Sequence, residues 1–237
     1  MEKRKHRIGI LGGMGPMAGV LLQKLIIEHT PARKDQDHIE VVCFTDPRVP
    51  DRTNSLYKDR GRKYLSRIAG SLKLLERAKV DHILIPCNTA HARFGDIERS
   101  TKIPILNMVA LVLDRVRALR PRNVGLLATD GTIASGIYSH KNFKLVVPSR
   151  QEQRVLVRII YAIKAGNYED ENIASSIGRF VRNLKRRGAD AVVLGCSELS
   201  LYGKFLKEEG VIDPLDELAK AAVCIALDSK RSRRKFG

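Results

Sequence analysis

Short apolar runs alternate with longer amphipathic runs along most of the chain. Arg7–Leu11 (RIGIL) predicts a buried strand, and Pro16–Thr30 a helix with proline in its first turn. Ile39–Phe44 predicts a second strand. Over Tyr64–Lys79, residues Leu65, Ile68, Ala69, Leu72, Leu75 and Ala78 recur on one helical face. His82–Pro86 (HILIP) predicts a strand, Thr89–Ser100 a helix, Ile103–Leu106 a short strand and Val109–Leu119 a helix. The order then begins again. Asn123–Leu127 predicts a strand, Thr132–Tyr138 a short helix and Lys144–Val147 a strand. Helices over Glu152–Ala165 and Asn172–Arg187, a strand over Ala191–Leu194 and a helix over Leu215–Leu227 complete the chain. Strands that alternate with helices predict an α/β protein with parallel sheets covered on both faces.

The second half echoes the first. RIGILGGMGP near the start matches NVGLLATDGT from Asn123: a strand, a glycine-containing turn and a helix start. DHILIPCNTA matches DAVVLGCSEL: an aspartate, a buried strand and a cysteine where the strand ends. This predicts two related, flavodoxin-like α/β domains. The first covers residues 1–112, the second 113–211, and the terminal helix within 212–237 folds back onto the first. In open parallel sheets, sites form beyond the carboxyl ends of the strands, where both cysteines fall.

Cys87 lies in Pro86-Cys87-Asn88-Thr89-Ala90-His91, and Cys196 in Gly195-Cys196-Ser197-Glu198. A buried cysteine is commonly a plain core residue, and Cys43 and Cys224 are read that way. Two cysteines at equivalent strand ends are a more specific arrangement. A helix start just after each would favour the thiolate. Two thiols facing across a small cleft suit removal of a proton from a carbon acid on one face and its return on the other, which inverts a stereocentre. No CxxC or CxH pairing points to a zinc site or a disulfide framework. No apolar run is long enough for a signal-peptide core or a membrane span. The expected setting is a reducing cytoplasm.

At these residues the sequence resembles the cofactor-independent aspartate/glutamate racemases, closest to the aspartate racemase branch. Its carriers are Gly12-Gly13-Met14-Gly15-Pro16, Pro50-Asp51-Arg52-Thr53, the Cys87 and Cys196 segments, Leu127-Ala128-Thr129 with Gly131-Thr132, and Lys164-Ala165-Gly166. The resemblance implies two pseudo-symmetric domains with the active site between them, commonly a homodimer, and neither pyridoxal phosphate nor metal. It implies Cys87 and Cys196 as the two bases. Arg52 and Lys164 match the cations that similar proteins place on the distal carboxylate of an acidic amino acid. Met14, Asn88, Thr89, Thr129, Thr132 and Ser197 match turn and helix-start positions that line the site. Each also has an ordinary reading: capping for the threonines, a loop arginine for Arg52, a helix-end charge for Lys164. His91 reads as a structural hydrogen-bonding group. Glu198 reads as a residue that orients a thiol or the substrate ammonium, or as a helix-start acid. Where relatives commonly have Thr after the second Gly-Cys, this chain has Ser197, which keeps the hydroxyl.

The whole chain has 237 residues and a net charge of +17. Residues 1–7 contribute +3 of this and residues 228–237 contribute +4. Twelve Phe and Tyr and no Trp leave no interleaved aromatic platform for stacking bases. The excess therefore reads as solvated surface with no specific nucleic-acid partner, and it would draw dianionic substrates toward a cleft. Two other functions stay open at this level. One is another carbon-acid isomerisation of the same superfamily, such as glutamate or hydantoin racemisation. The other is a degenerate nucleic-acid-binding relative, supported by charge alone.

Overall fold

The computed structural model describes residues 5–167, 171–206 and 210–227. The basic runs at 1–4 and 228–237 lie outside the described residues. The first half runs β1 (Ile8–Gly12), α1 (Pro16–His29), β2 (Val41–Thr45), α2 (Arg52–Asp59), α3 (Arg62–Arg77), β3 (His82–Leu84), α4 (Phe94–Glu98) and α5 (Met108–Leu119). The second runs β4 (Asn123–Leu126), α6 (Asp130–Ser135), β5 (Lys144–Val146), α7 (Arg150–Lys164), α8 (Glu171–Arg186), β6 (Ala191–Val193), β7 (Val211–Ile212) and α9 (Pro214–Leu227).

The strands form two wholly parallel sheets, ordered β2-β1-β3 and β5-β4-β6-β7. The predicted strand at Ile103–Leu106 shrinks to one bridge, Ile83 to Ile105, beside β3. Pro104 has no N–H, so the ladder there holds only Ile83 N to Pro104 O and Leu106 N to Ile83 O. Counting that bridge as a fourth position, both sheets share one topology, and the sequence repeat is a structural repeat.

Four apolar clusters cover the sheet faces. One face of the first sheet packs Ile8, Ile10 and Leu84 against Leu22 and Ile26 of α1 and Leu215, Leu218 and Ala222 of α9. Ile68, Leu72 and Leu75 of α3 cover the other with Leu11, Ile83 and Ile85. In the second sheet, α7 and α8 supply Leu156, Ile160, Ile177 and Val181 to one face. Val112 and Val116 of α5, with Tyr138, cover the other.

Three local expectations are corrected. The predicted helix over Thr89–Ser100 is a 3-10 segment, Thr89–Arg93, followed by the short α4. The His91 ring takes the Cys87 carbonyl at 2.8 Å, so the His91 amide bonds Asn88 O instead. The predicted helix reaching Tyr138 ends at Ser135, because Gly136 adopts φ +68° and turns the chain. Cys224 is exposed on α9, and Cys43 only half-buried. No described helix is long and apolar enough to cross a membrane.

The two halves meet where α2 packs on α6. A Cβ added at Gly131 would lie 2.6 Å from Thr53 Oγ1 and 2.9 Å from its Cα. We expect Gly131→Ala to cost about 1–3 kcal/mol by overpacking. Gly70, exposed inside α3 with no atom within 4 Å of its would-be Cβ, should gain about 0.5–1 kcal/mol as Ala. Urea denaturation of both variants checks the pair; equal effects at the two sites would remove the contact argument.

His91 is buried, and burial holds its pKa down at about 4, below its unfolded value of 6.5. The unfolded chain therefore gains a proton that the folded chain refuses. Stability should fall as pH drops below 6.5, by about 2 kcal/mol at pH 5. Asp213, whose carboxyl burial raises to about 6, moves stability the opposite way over this window. Denaturation of wild type and His91→Gln at pH 7.5 and pH 5 isolates the histidine. An unchanged pH slope in the variant would contradict the assignment.

Candidate active site

Cys87 stands three residues past the end of β3, and Cys196 three residues past the end of β6. The strands are equivalent in the two sheets, and each lies beside the central β1 or β4. Both thiols are buried, at 4% and 5% exposure. Each is followed by a 3-10 segment, Thr89–Arg93 or Leu199–Phe205. The expected α-helix start that would favour each thiolate is absent.

The Cys196 thiol donates to Glu198 Oε2 at 2.9 Å, and Ser197 Oγ lies 3.4 Å from the same oxygen. Glu198 Oε1 accepts from the Gly15 amide at 2.9 Å. Burial and the Glu198 carboxylate push the Cys196 thiol well above its ordinary range, with Lys164 pulling the other way. The carboxylate thus joins the turn after β1 to the loop after β6. Glu198 is buried at 3% exposure, and its sequence position left its role open between helix acid, thiol partner and partner of the substrate ammonium. Its spacing two residues after the cysteine was the available signal.

Arg52, the first residue of α2, is buried against the other thiol. Nη1 donates to Val49 O and Pro50 O, both at 3.1 Å, and Nη2 donates to Met14 O at 2.9 Å. Burial opposes its charge, but Cys87, Asp51 and Glu198 outweigh that and raise its pKa. Its Nε is buried without a partner. Met14 contributes this carbonyl and a buried side chain. The preceding Gly13 has φ +99°, and a Cβ there would lie 2.3 Å from Asp46 O, so glycine is required for the turn.

Lys164 closes α7 and is half-buried, with Nζ 4.9 Å from the Tyr161 ring centroid. The Tyr161 hydroxyl in turn donates to Asp51 Oδ2 at 3.0 Å. Burial works against the ammonium; Cys196 and Glu198, with a smaller effect of Cys87, more than restore it and raise its pKa. Lys164 and Glu198 line a cavity of 220 Å³ with Gly15, Pro16, Met17, Ile163, Ala165 and Gly166.

Three buried hydroxyls form a closed triangle. Thr89 Oγ1 lies 3.1 Å from Thr129 Oγ1 and 2.8 Å from Thr132 Oγ1, and the last two are 3.1 Å apart. Thr129 also caps α6, its side chain accepting from Thr132 N. Asn88 Oδ1 accepts from the Tyr138 hydroxyl, while its Nδ2 is buried without a partner. His91 plays the expected structural part: its ring bonds Cys87 O, and Met108 N donates to its Nε2 at 3.3 Å.

The arrangement thus brings two thiols, the buried Arg52 and half-buried Lys164, orphaned donors on Arg52 and Asn88, and a hydroxyl cluster to the carboxyl ends of two like sheets. Among the described residues, no group of three His, Cys, Asp or Glu side chains is placed to hold a metal.

Comparison with known proteins gives the same picture from outside. Residues 11–222 match the family described as Asp/Glu/Hydantoin racemase. An aspartate racemase of Picrophilus torridus superposes with a TM-score of 0.80 at 31% identity, covering 92% of this chain and 93% of that one. The broad specificity amino-acid racemase RacX of Bacillus subtilis (strain 168) is 27% identical over 91% of this chain and 96% of its own length. A glutamate racemase of Lysinibacillus sphaericus (strain C3-41) is 26% identical over 91% of this chain and 79% of its own. With a family match across most of its length and this two-sheet architecture, the chain belongs to the Asp/Glu/hydantoin racemase family.

Proposed function

We propose that the protein interconverts L- and D-aspartate by a two-base mechanism in which Cys87 and Cys196 are the acid and base, without pyridoxal phosphate or metal. The observation that carries this reading is the pair of buried thiols at one offset past equivalent strands of two like sheets.

One thiolate takes the α-proton; the electron pair left on carbon spreads into the α-carboxylate; the opposite thiol delivers its proton to the other face. The products are one new thiol, one new thiolate and the inverted amino acid. Cys196 takes the proton from the L substrate and Cys87 from the D substrate. In the arrangement described, Cys196 holds its proton against Glu198 and Cys87 faces Arg52. The L direction requires Cys196 to lose its proton first, and Glu198 is its neighbour for that transfer.

Asn88 Nδ2 and the Thr89, Thr129 and Thr132 hydroxyls hold the α-carboxylate, where charge builds up during the reaction. Met14 and Ser197 frame the same end through their turns. Arg52 and Lys164 hold the distal carboxylate. Glutamate is the nearest alternative substrate, and similarity to a broad specificity amino-acid racemase makes a wider set of amino acids worth assaying. From the family resemblance the proposal also takes a homodimer in the cytoplasm.

Proton NMR of L- and D-aspartate with the protein in deuterated water, followed by chiral analysis, tests the reaction class. Loss of the α-proton signal with formation of the opposite enantiomer is expected. Cys87→Ala and Cys196→Ala should each abolish racemisation, and Cys43→Ala should not. Full activity in either of the first two removes the two-base scheme. A chelator or an aminooxy reagent should leave turnover intact.

A charge-assisted bond to a carboxylate contributes about 1.5–3 kcal/mol. Arg52→Ala should therefore lower kcat/KM for aspartate about ten- to a hundredfold, and lower it far less for alanine. Steady-state kinetics on aspartate, glutamate, asparagine and alanine check this for Arg52→Ala and Lys164→Ala. Variants that lose alanine and aspartate equally would take these cations off the distal carboxylate.

A further inference from the structure

The amide of Asn88 has one satisfied end and one unsatisfied end. Oδ1 accepts the Tyr138 hydroxyl, and Nδ2 is buried with no partner. Which end is which decides what the site offers a substrate, because an amide turned over presents an acceptor instead of a donor. We propose that Tyr138 is a positioning residue that locks the Asn88 amide with its NH₂ toward the substrate, and so makes this end of the site selective for a carboxylate. This rests on the reading of Asn88 as a carboxylate-binding residue.

The lock follows from counting donors and acceptors. Tyr138 is buried at 1% exposure, and its ring is packed in the cluster formed with Val112, Val116 and Leu126. The turn at Gly136 places it there, so the hydroxyl has little freedom to move. Its one hydrogen-bond partner among the described residues is Asn88. Burial, with the nearby Asp213 and Cys196, pushes the phenol further above its ordinary range, so it keeps its proton. If Oδ1 faces the phenol, that proton is satisfied and only the Nδ2 donors are left over, aimed at a ligand. If the amide turns over, the phenol proton and Oδ1 are both stranded without water. Stranding a buried polar group costs more than a net hydrogen bond returns, so the first orientation prevails. Asn88 comes from the loop after β3 and Tyr138 from the loop after α6, so the orientation is imposed by one half of the molecule on the other.

The test uses the full-length protein and compares aspartate with its α-amide, isoasparagine, as a competitive inhibitor. Wild type should bind the α-amide at least tenfold more weakly than aspartate. Tyr138→Phe removes one oxygen and frees the amide to turn. It should raise KM for aspartate about three- to tenfold, leave kcat within about threefold, and bring the two ligands closer together in affinity. A folded Tyr138→Phe protein with unchanged discrimination overturns the inference, as does an equal fall in kcat and rise in KM with the affinity ratio kept. A second variant covers the case in which Tyr138→Phe does not fold. Asn88→Asp keeps an acceptor for the tyrosine and turns an anionic oxygen to the substrate; it should weaken aspartate binding about a hundredfold or more, and unchanged binding would overturn the inference. Wild type that turns over neither aspartate nor glutamate would remove the racemase reading, and this inference with it.

Discussion

The buried Glu198 carboxylate is the interaction on which the cleft depends. One oxygen takes the Gly15 amide from the turn after β1, and the other takes the Cys196 thiol from the loop after β6. A carboxylate away from water needs its lone pairs filled and its charge answered. Gly15, Cys196 and Ser197 provide the hydrogen bonds, and Arg52 and Lys164 lie near enough for their pKa values to respond to its charge. A buried guanidinium, a half-buried ammonium and a buried carboxylate therefore stabilise one another. Removing any one leaves an unbalanced charge in a dry place. The site residues come from β1, α2, α7 and the loop after β6, which share no local sequence, yet one electrostatic requirement holds them together.

A nearly symmetric frame gives two cysteines unlike surroundings. The sheets place Cys87 and Cys196 at the same offset, but their surroundings differ. Cys196 faces a carboxylate that keeps its proton on, and Cys87 faces a guanidinium held by three backbone carbonyls. The proposed two-base scheme needs one thiol charged and the other neutral in either direction. Unlike neighbours around a symmetric backbone thus distinguish the two thiols before any substrate arrives.

Much of the architecture was legible because it rests on periodicity. The α3 stripe from Ile68 to Leu75 and the buried runs IGIL and HIL announce themselves, and the repeated strand-cysteine pattern marked the positions that became structurally equivalent. Helix α2 was not legible. RTNSLYKD buries only Arg52 and Ser55, so it carries no apolar stripe, and Asp51 as its capping residue was the sole local signal. The 3-10 turn after Cys87 was hidden because its cause is a side chain, the His91 ring on Cys87 O, rather than any propensity. The family resemblance named Arg52, Lys164, Asn88 and the threonines. The orphaned donors on Arg52 and Asn88 and the thiol–Glu198 bond required three dimensions.

Helix α9 packs in the same cluster as Ile8, Ile10, Leu22 and Ile26. The first half of the chain leaves the ribosome first, yet one face of its sheet is covered only in part, by α1, until residues 215–226 have been made. Its core is closed by contacts spanning nearly the whole sequence, which raises contact order and slows folding. During synthesis, an apolar face built from β1 and α1 is exposed while the second half is translated, and that interval is open to association with other nascent chains. Helix α9 therefore sets the order of assembly: the first sheet, though its strands are made first, is completed no earlier than the second, whose last strand, β7, directly precedes α9.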